Sequence, residues 1–161
     1  MAVTLTIIAF ESKGSNVKIL FFAEEIIVDV GCGIGYSTGI LTELYPNAKV
    51  YGTNLKNTKQ WNFCEMISKR YGFNMIENVS EISSSVDIVF ASEYFEHFLD
   101  PVKHFNEICE KISPKYFVIA NAFNTKSIGH FNTYNVYTSK LDQTSISKIF
   151  NKNIRNKGYI R

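Results

Sequence analysis

One aspartate and three glycines at alternate positions form the segment best suited to chemistry: Asp29-Val30-Gly31-Cys32-Gly33-Ile34-Gly35. Glycines let a backbone approach a ligand closely, and a helix starting behind them offers its free N–H groups. Three ligand types compete for such a loop. A nucleotide phosphate loop needs a lysine, and none is present here. The dinucleotide pattern needs a third glycine where this chain has Tyr36, counting from Gly31, or Thr38, counting from Gly33. An acid at the end of a strand accepts hydrogen bonds from an ammonium group and repels a pyrophosphate. The ligand that remains is a zwitterion attached to a nucleoside.

A second reactive group lies further along, in Ser92-Glu93-Tyr94-Phe95-Glu96-His97-Phe98. His97 is the best base candidate, because an unperturbed imidazole titrates near neutrality; packing inside this aromatic stretch is the competing reading. His130, in Ser127-Ile128-Gly129-His130-Phe131, could shape an acceptor pocket with Asn121, Asn124 and Tyr134, or belong to an ordinary ordered loop. His97, His130 and either Glu93 or Glu96 have the chemistry of metal ligands, but their separation matches no recognised ligand spacing, so no metal is expected. His104 lies in a helical stretch and reads as structural.

The elements that must position these residues alternate. Ile26–Val30, Lys49–Asn54, Asn74–Ile76, Val86–Ser92 and Tyr116–Ala120 are short apolar, β-branched runs, which predicts five buried parallel strands. Between and after them, Tyr36–Tyr45, Thr58–Tyr71, Pro101–Ile112 and Thr144–Asn156 carry helical spacing, closed by Pro46, Gly72 and Gly158 and opened in one case by Pro101. That alternation predicts an α/β chain, a three-layer sandwich with helices on both faces of a mostly parallel sheet. Thr4–Phe10 and Val17–Phe22 flank a Ser12–Asn16 turn cluster and read as a hairpin, with a helix over Val17–Phe22 as the alternative. Residues 121 to 143 read as a long polar loop.

The segment Val28-Asp29-Val30-Gly31-Cys32-Gly33-Ile34-Gly35-Tyr36-Ser37 resembles the first motif of the class I, Rossmann-like methyltransferases that use S-adenosylmethionine (SAM). The stretch from Asp87 to Phe98, with its Glu96-His97 pair, resembles the fourth strand and following loop of one branch of that family. The resemblance spans about residues 24 to 120. It implies that Asp29, Gly31, Cys32, Gly33, Gly35, Tyr36 and Ser37 line the methionine end of SAM. It implies that Asn54 and Leu55 meet the ribose, with Asn54 standing where the family usually has an acid; a plain turn role is the alternative for Asn54. Glu77 and Asn78 are implied at the adenine, and Ser92 and Glu93 beside the transferred methyl. For catalysis it points to His97, Glu93 and His130. The chain lacks an Asn-Pro-Pro or Asp-Pro-Pro segment and a Pro-Cys pair, which argues against the branches that methylate base amines and cytosine C5.

Composition bounds the rest. The chain has 161 residues, 45% apolar and 20% charged, so a single domain with a real core is expected. Within it, 1–22 is expected to be an edge hairpin, 24–120 the cofactor core, and 121–161 an acceptor-side loop and terminal helix. The family's terminal strand hairpin is expected to be missing, its open sheet edge covered by residues 4 to 22 or by a second copy of the chain. Three scattered cysteines suit a reducing, cytoplasmic setting, and no apolar run is long enough to span a membrane. Residues 121 to 161 carry a net charge of +6 against +2 for the whole chain, which reads as a solubilising surface, with nucleic acid a weaker option. The expectation is therefore SAM-dependent methyl transfer to an oxygen or nitrogen of an unidentified acceptor. A non-catalytic SAM-binding subunit, a SAM-cleaving enzyme and a nucleic-acid module are the alternatives.

Overall fold

The computed structural model describes residues 25–159. The elements run β1 (Ile26–Asp29), α1 (Tyr36–Leu44), β2 (Lys49–Thr53), α2 (Lys59–Tyr71), β3 (Asn74–Ile76), β4 (Ile88–Ser92), α3 (Pro101–Ile112), β5 (Tyr116–Ala120), β6 (Thr133–Val136), β7 (Ser139–Asp142) and α4 (Gln143–Asn156). Single 3-10 turns follow β3 at Val79–Glu81 and β4 at Phe95–His97. The first five strands form one parallel sheet in the order β3-β2-β1-β4-β5.

Alternate strand residues feed two separate cores, as the period of a strand requires. Ile27, Val50 and Ile88 pack with Cys64 and Phe73 on the α1 and α2 side. Val28, Val89, Ala91, Phe117 and Ile119 pack on the other side. There they meet Val102, Phe105, Ile108 and Ile112 of α3, and Ile146, Phe150 and Ile154 of α4. The three- and four-residue spacings of those helical positions put each set on one helix face. Three of the four α-helices among the described residues start on a side-chain cap: Thr58 accepts the Trp61 N–H, Asp100 the Lys103 N–H, and Asp142 the Ser145 N–H. Thr58 lies just outside its helix for that reason, whereas α4 begins one residue earlier than its spacing predicts.

Phe105 is fully buried, with its ring against those of Phe95, Phe117 and Phe150. Phe105→Ala is expected to lower stability by about 3–5 kcal/mol, because the hole it leaves is walled by rigid rings. Urea unfolding followed by circular dichroism measures this.

The chain after β5 corrects the sequence reading. In place of a polar loop, β6 and β7 form an antiparallel hairpin with its own small sheet, and it precedes α4. Its strands are four residues long and mostly polar, so no apolar run announces them. What anchors them is the burial of Tyr134 and Val136 on the side facing the α3 and α4 core. The expected hairpin over residues 4–22 lies outside the described residues; among these, β5, whose edge it would cover, ends the sheet. No helix among the described residues is long and apolar enough to cross a membrane.

Candidate functional site

In this strand order the chain leaves β1 toward β2 on one side and returns as β4 on the other. A crevice therefore opens at the carboxyl ends of β1 and β4. Asp29 ends β1 and Ser92 ends β4, so the glycine loop and the Glu93 segment face each other across it.

All three loop glycines occupy the left-handed region, with φ of +68° at Gly31, +58° at Gly33 and +89° at Gly35. A Cβ at Gly31 would run into the Tyr94 ring, and one at Gly35 would lie 2.8 Å from Phe73 and 2.9 Å from the Cys64 sulfur. A Cβ at Gly33 would have only the tip of Gln60 near it, at 3.9 Å. Gly31 and Gly35 are therefore demanded by the protein's own packing, and Gly33 is the position left open. Thr53, at the end of β2, holds the loop twice. Its Oγ1 accepts the Gly31 N–H at 2.8 Å and its carbonyl accepts the Cys32 N–H at 3.0 Å. Asn54 holds it a third time: its amide donates to the Gly33 carbonyl, while its own oxygen accepts the Leu55 N–H at 2.8 Å. Asn54 is thus a clamp on the loop. Leu55 projects into solvent.

Asp29 is buried, and the hydroxyls of Ser37 and Thr38 both donate to its Oδ2 at 2.7 Å. Oδ1 keeps its lone pairs for another donor. Burial raises the Asp29 carboxyl from its ordinary value to about 6, with the two hydroxyls pulling it back down. Tyr36 is exposed on the first turn of α1, the one α-helix among the described residues that opens on a glycine and has no side-chain cap. The Cys32 sulfur is buried, 3.5 Å from the Cys64 sulfur.

Glu77 and Asn78 follow β3 and share a cleft with Thr53, Tyr94 and His104. Asn78 caps the 3-10 turn through its side-chain oxygen, accepting from Ser80, and Glu77 pairs with Lys56 at 3.4 Å. Tyr94 walls this cleft against Gly31, with its hydroxyl 2.9 Å from His104 Nε2. His104 stacks on Phe98 at 3.7 Å between ring centres, in the structural role read from its helical setting.

The residues after β4 meet the loop after β5. The rings of His97 and His130 lie 4.9 Å apart, edge to face. The ligand-type atoms of Glu93, Glu96 and His130 lie within 4.8 Å of one another. Glu96 is fully buried. It accepts the Ala122 N–H at 2.9 Å, and the Asn121 amide nitrogen lies 2.9 Å from its second oxygen. Burial raises its carboxyl above the ordinary range; the Ala122 N–H lowers it and the Glu93 charge raises it further. Tyr134 donates to the Glu96 carbonyl at 3.1 Å, so the hairpin supports this turn from behind. The three residues expected to act in catalysis, Glu93, His97 and His130, are therefore brought to one place.

Thr53, Thr38 and Tyr94 are the residues that sequence reasoning missed as loop supports. A threonine closing the strand beside the glycine loop was the one signal available for the first of them.

A family model described as a methyltransferase domain matches residues 28–119 of this chain. The trans-aconitate 2-methyltransferase of Rhodopseudomonas palustris (strain BisA53) is 30% identical over 95 residues, or 55% of this chain and 34% of that protein. The chain thus spans about a third of the length of the curated relative it matches. Among solved structures, a SAM-dependent methyltransferase from Clostridium acetobutylicum ATCC 824 superposes with a TM-score of 0.49 at 17% identity, covering 70% of this chain and 50% of that one. The plantazolicin methyltransferase BpumL, in complex with SAH, superposes with a TM-score of 0.47 at 15% identity, covering 68% and 36%.

Proposed function

Because the chain belongs to the class I SAM-dependent methyltransferase family, through its methyltransferase domain at residues 28–119, we propose that it binds SAM in the crevice between β1 and β4 and transfers the methyl group to an oxygen or nitrogen atom. The observation that carries this reading is Asp29: a buried carboxylate with one oxygen unclaimed, at the mouth of a glycine loop leading to an uncapped helix.

In this reading residues 25–120 hold the cofactor and residues 121–159 shape the acceptor side. Asp29 Oδ1 accepts from the ammonium of the methionine part, and Ser37 and Thr38 fix the carboxylate for it. Gly31 and Gly33 let the backbone pass close to the same part, while Gly35, Cys32 and Tyr36 hold the turn into α1. Asn54 and the neighbouring Leu55 face the ribose, and Glu77 and Asn78 face the adenine. Ser92 and Glu93 border the methyl.

SAM supplies an electrophilic methyl on a sulfonium, and the transfer leaves S-adenosylhomocysteine. The protein's task is to align the acceptor's lone pair with that carbon–sulfur bond. Where the acceptor must lose a proton, His97 takes it at Nε2, with His130 packed against its ring and Glu93 nearby to offset the charge that forms. The three free thiols support a cytoplasmic setting. An exposed row on α1, Tyr36, Ile40 and Leu44, supports pairing with a second copy.

Titration calorimetry of the purified chain with SAM and with S-adenosylhomocysteine tests the reading. Micromolar binding of both is expected, and no heat at millimolar ligand would overturn it. Binding without S-adenosylhomocysteine production across acceptors would instead favour a non-catalytic subunit, the alternative that the already engaged Asn54 supports.

A further inference from the structure

We propose that Glu93, Glu96 and His130 form a binding site for a divalent first-row transition cation at the carboxyl end of β4. Each residue supplies one ligand atom. His130 presents the right tautomer. Its Nδ1 lies 2.8 Å from the Thr125 carbonyl. A carbonyl oxygen can only accept, so Nδ1 carries the hydrogen and Nε2 of the neutral ring keeps its lone pair. Anchoring one ring nitrogen on a backbone carbonyl while the other points into a shared space is how metal-binding histidines are held.

The spacing fits. Donor atoms on opposite sides of a cation with bonds of about 2.1 Å sit about 4.2 Å apart. The Glu93, Glu96 and His130 atoms lie within 4.8 Å of one another, so small side-chain rotations close the gap. The charge fits as well. Two carboxylates approach each other here, one fully buried, and no lysine or arginine among the described residues bridges either of them. A cation supplies the missing positive charge.

An imidazole nitrogen with two carboxylate oxygens suits Mn2+, Fe2+, Co2+ or Zn2+ better than the all-oxygen preference of Mg2+ and Ca2+. Three protein ligands leave three octahedral positions open beside the place assigned to the methyl. This narrows the acceptor to one whose oxygens bind a cation, such as a hydroxyl beside a second oxygen. That narrowing rests on the methyl-transfer reading; the cation site itself does not.

The test uses the whole chain, stripped with a chelator and titrated with Mn2+ alone, with free Mn2+ read by electron paramagnetic resonance. One Mn2+ per chain with micromolar affinity is expected. Two single variants, His130→Ala and Glu93→Gln, change partly or fully exposed side chains and should keep the native circular dichroism. Each should weaken Mn2+ binding at least about tenfold. Mn2+ that stays free at millimolar concentration, or that binds both folded variants as tightly as the parent, would overturn the site. A parallel SAM titration of the stripped chain separates the two readings. Mn2+ binding without SAM binding sinks the methyl-transfer reading alone, and SAM binding without Mn2+ binding sinks the cation site alone.

Discussion

Gly33→Val is expected to abolish SAM binding while the fold survives. The Cβ it introduces meets no protein atom closer than 3.9 Å, so the core does not resist it. What changes is the open side of the loop, where a branched side chain now stands between the backbone and the ligand. The left-handed φ of +58° adds a conformational cost of about 1–2 kcal/mol, which a folded domain of ordinary stability absorbs. At least a hundredfold loss of affinity is the expected calorimetric result, with a melting curve close to the parent's. Gly35→Val makes the internal control. Its side chain collides with Phe73 and Cys64, so that variant should lose stability first and binding as a consequence. Unchanged SAM affinity in folded Gly33→Val would mean that the cofactor lies elsewhere.

The pH dependence of SAM binding should show Asp29 directly. Its carboxyl titrates at about 6 in the empty protein, chiefly because it is buried. An ammonium is held by the ionised form, so affinity should fall about tenfold per pH unit below that value. The α-amino group of the ligand loses its own proton near pH 8, so binding should be tightest between about 6 and 8. Asp29→Asn should lower affinity at pH 7 and erase the acidic limb.

The same shift predicts the opposite sign for stability without ligand. A carboxyl raised above its unfolded value contributes fully to stability below about pH 4, and that contribution is lost as pH rises through about 6. Asp29→Asn should therefore stabilise the empty chain at pH 8 by about 1–3 kcal/mol and change little at pH 4. Isothermal titrations and denaturant melts across pH separate the two effects. An acidic limb that persists in Asp29→Asn would assign it to another group.

Much of the fold was legible because its strands are short, apolar and bounded by glycine or turn residues. Asn74–Ile76 and Tyr116–Ala120 form strands with the bounds their residues predict, and Pro101 starts its helix where expected. The β6 and β7 hairpin was not legible, because its polar strands become ordered only when Tyr134 finds a core to enter. Asn54 shows the same limit at the site. Its position beside the loop follows from the strand it ends, but its engagement with the Gly33 carbonyl depends on how closely two strand ends approach.

The sequence by itself determined the acid and the glycine loop. Asp29, Gly31, Gly33, Gly35 and Ser37 lie within nine residues, so a strand, a left-handed turn and a helix bring them together before any distant contact forms. Only the tertiary structure decided what meets across the crevice. His130 is separated from His97 by 33 positions, and no local rule relates them. They meet because the chain leaving β5 folds back over the end of β4, held there by the Ala122 N–H on Glu96 and by Tyr134 beneath it.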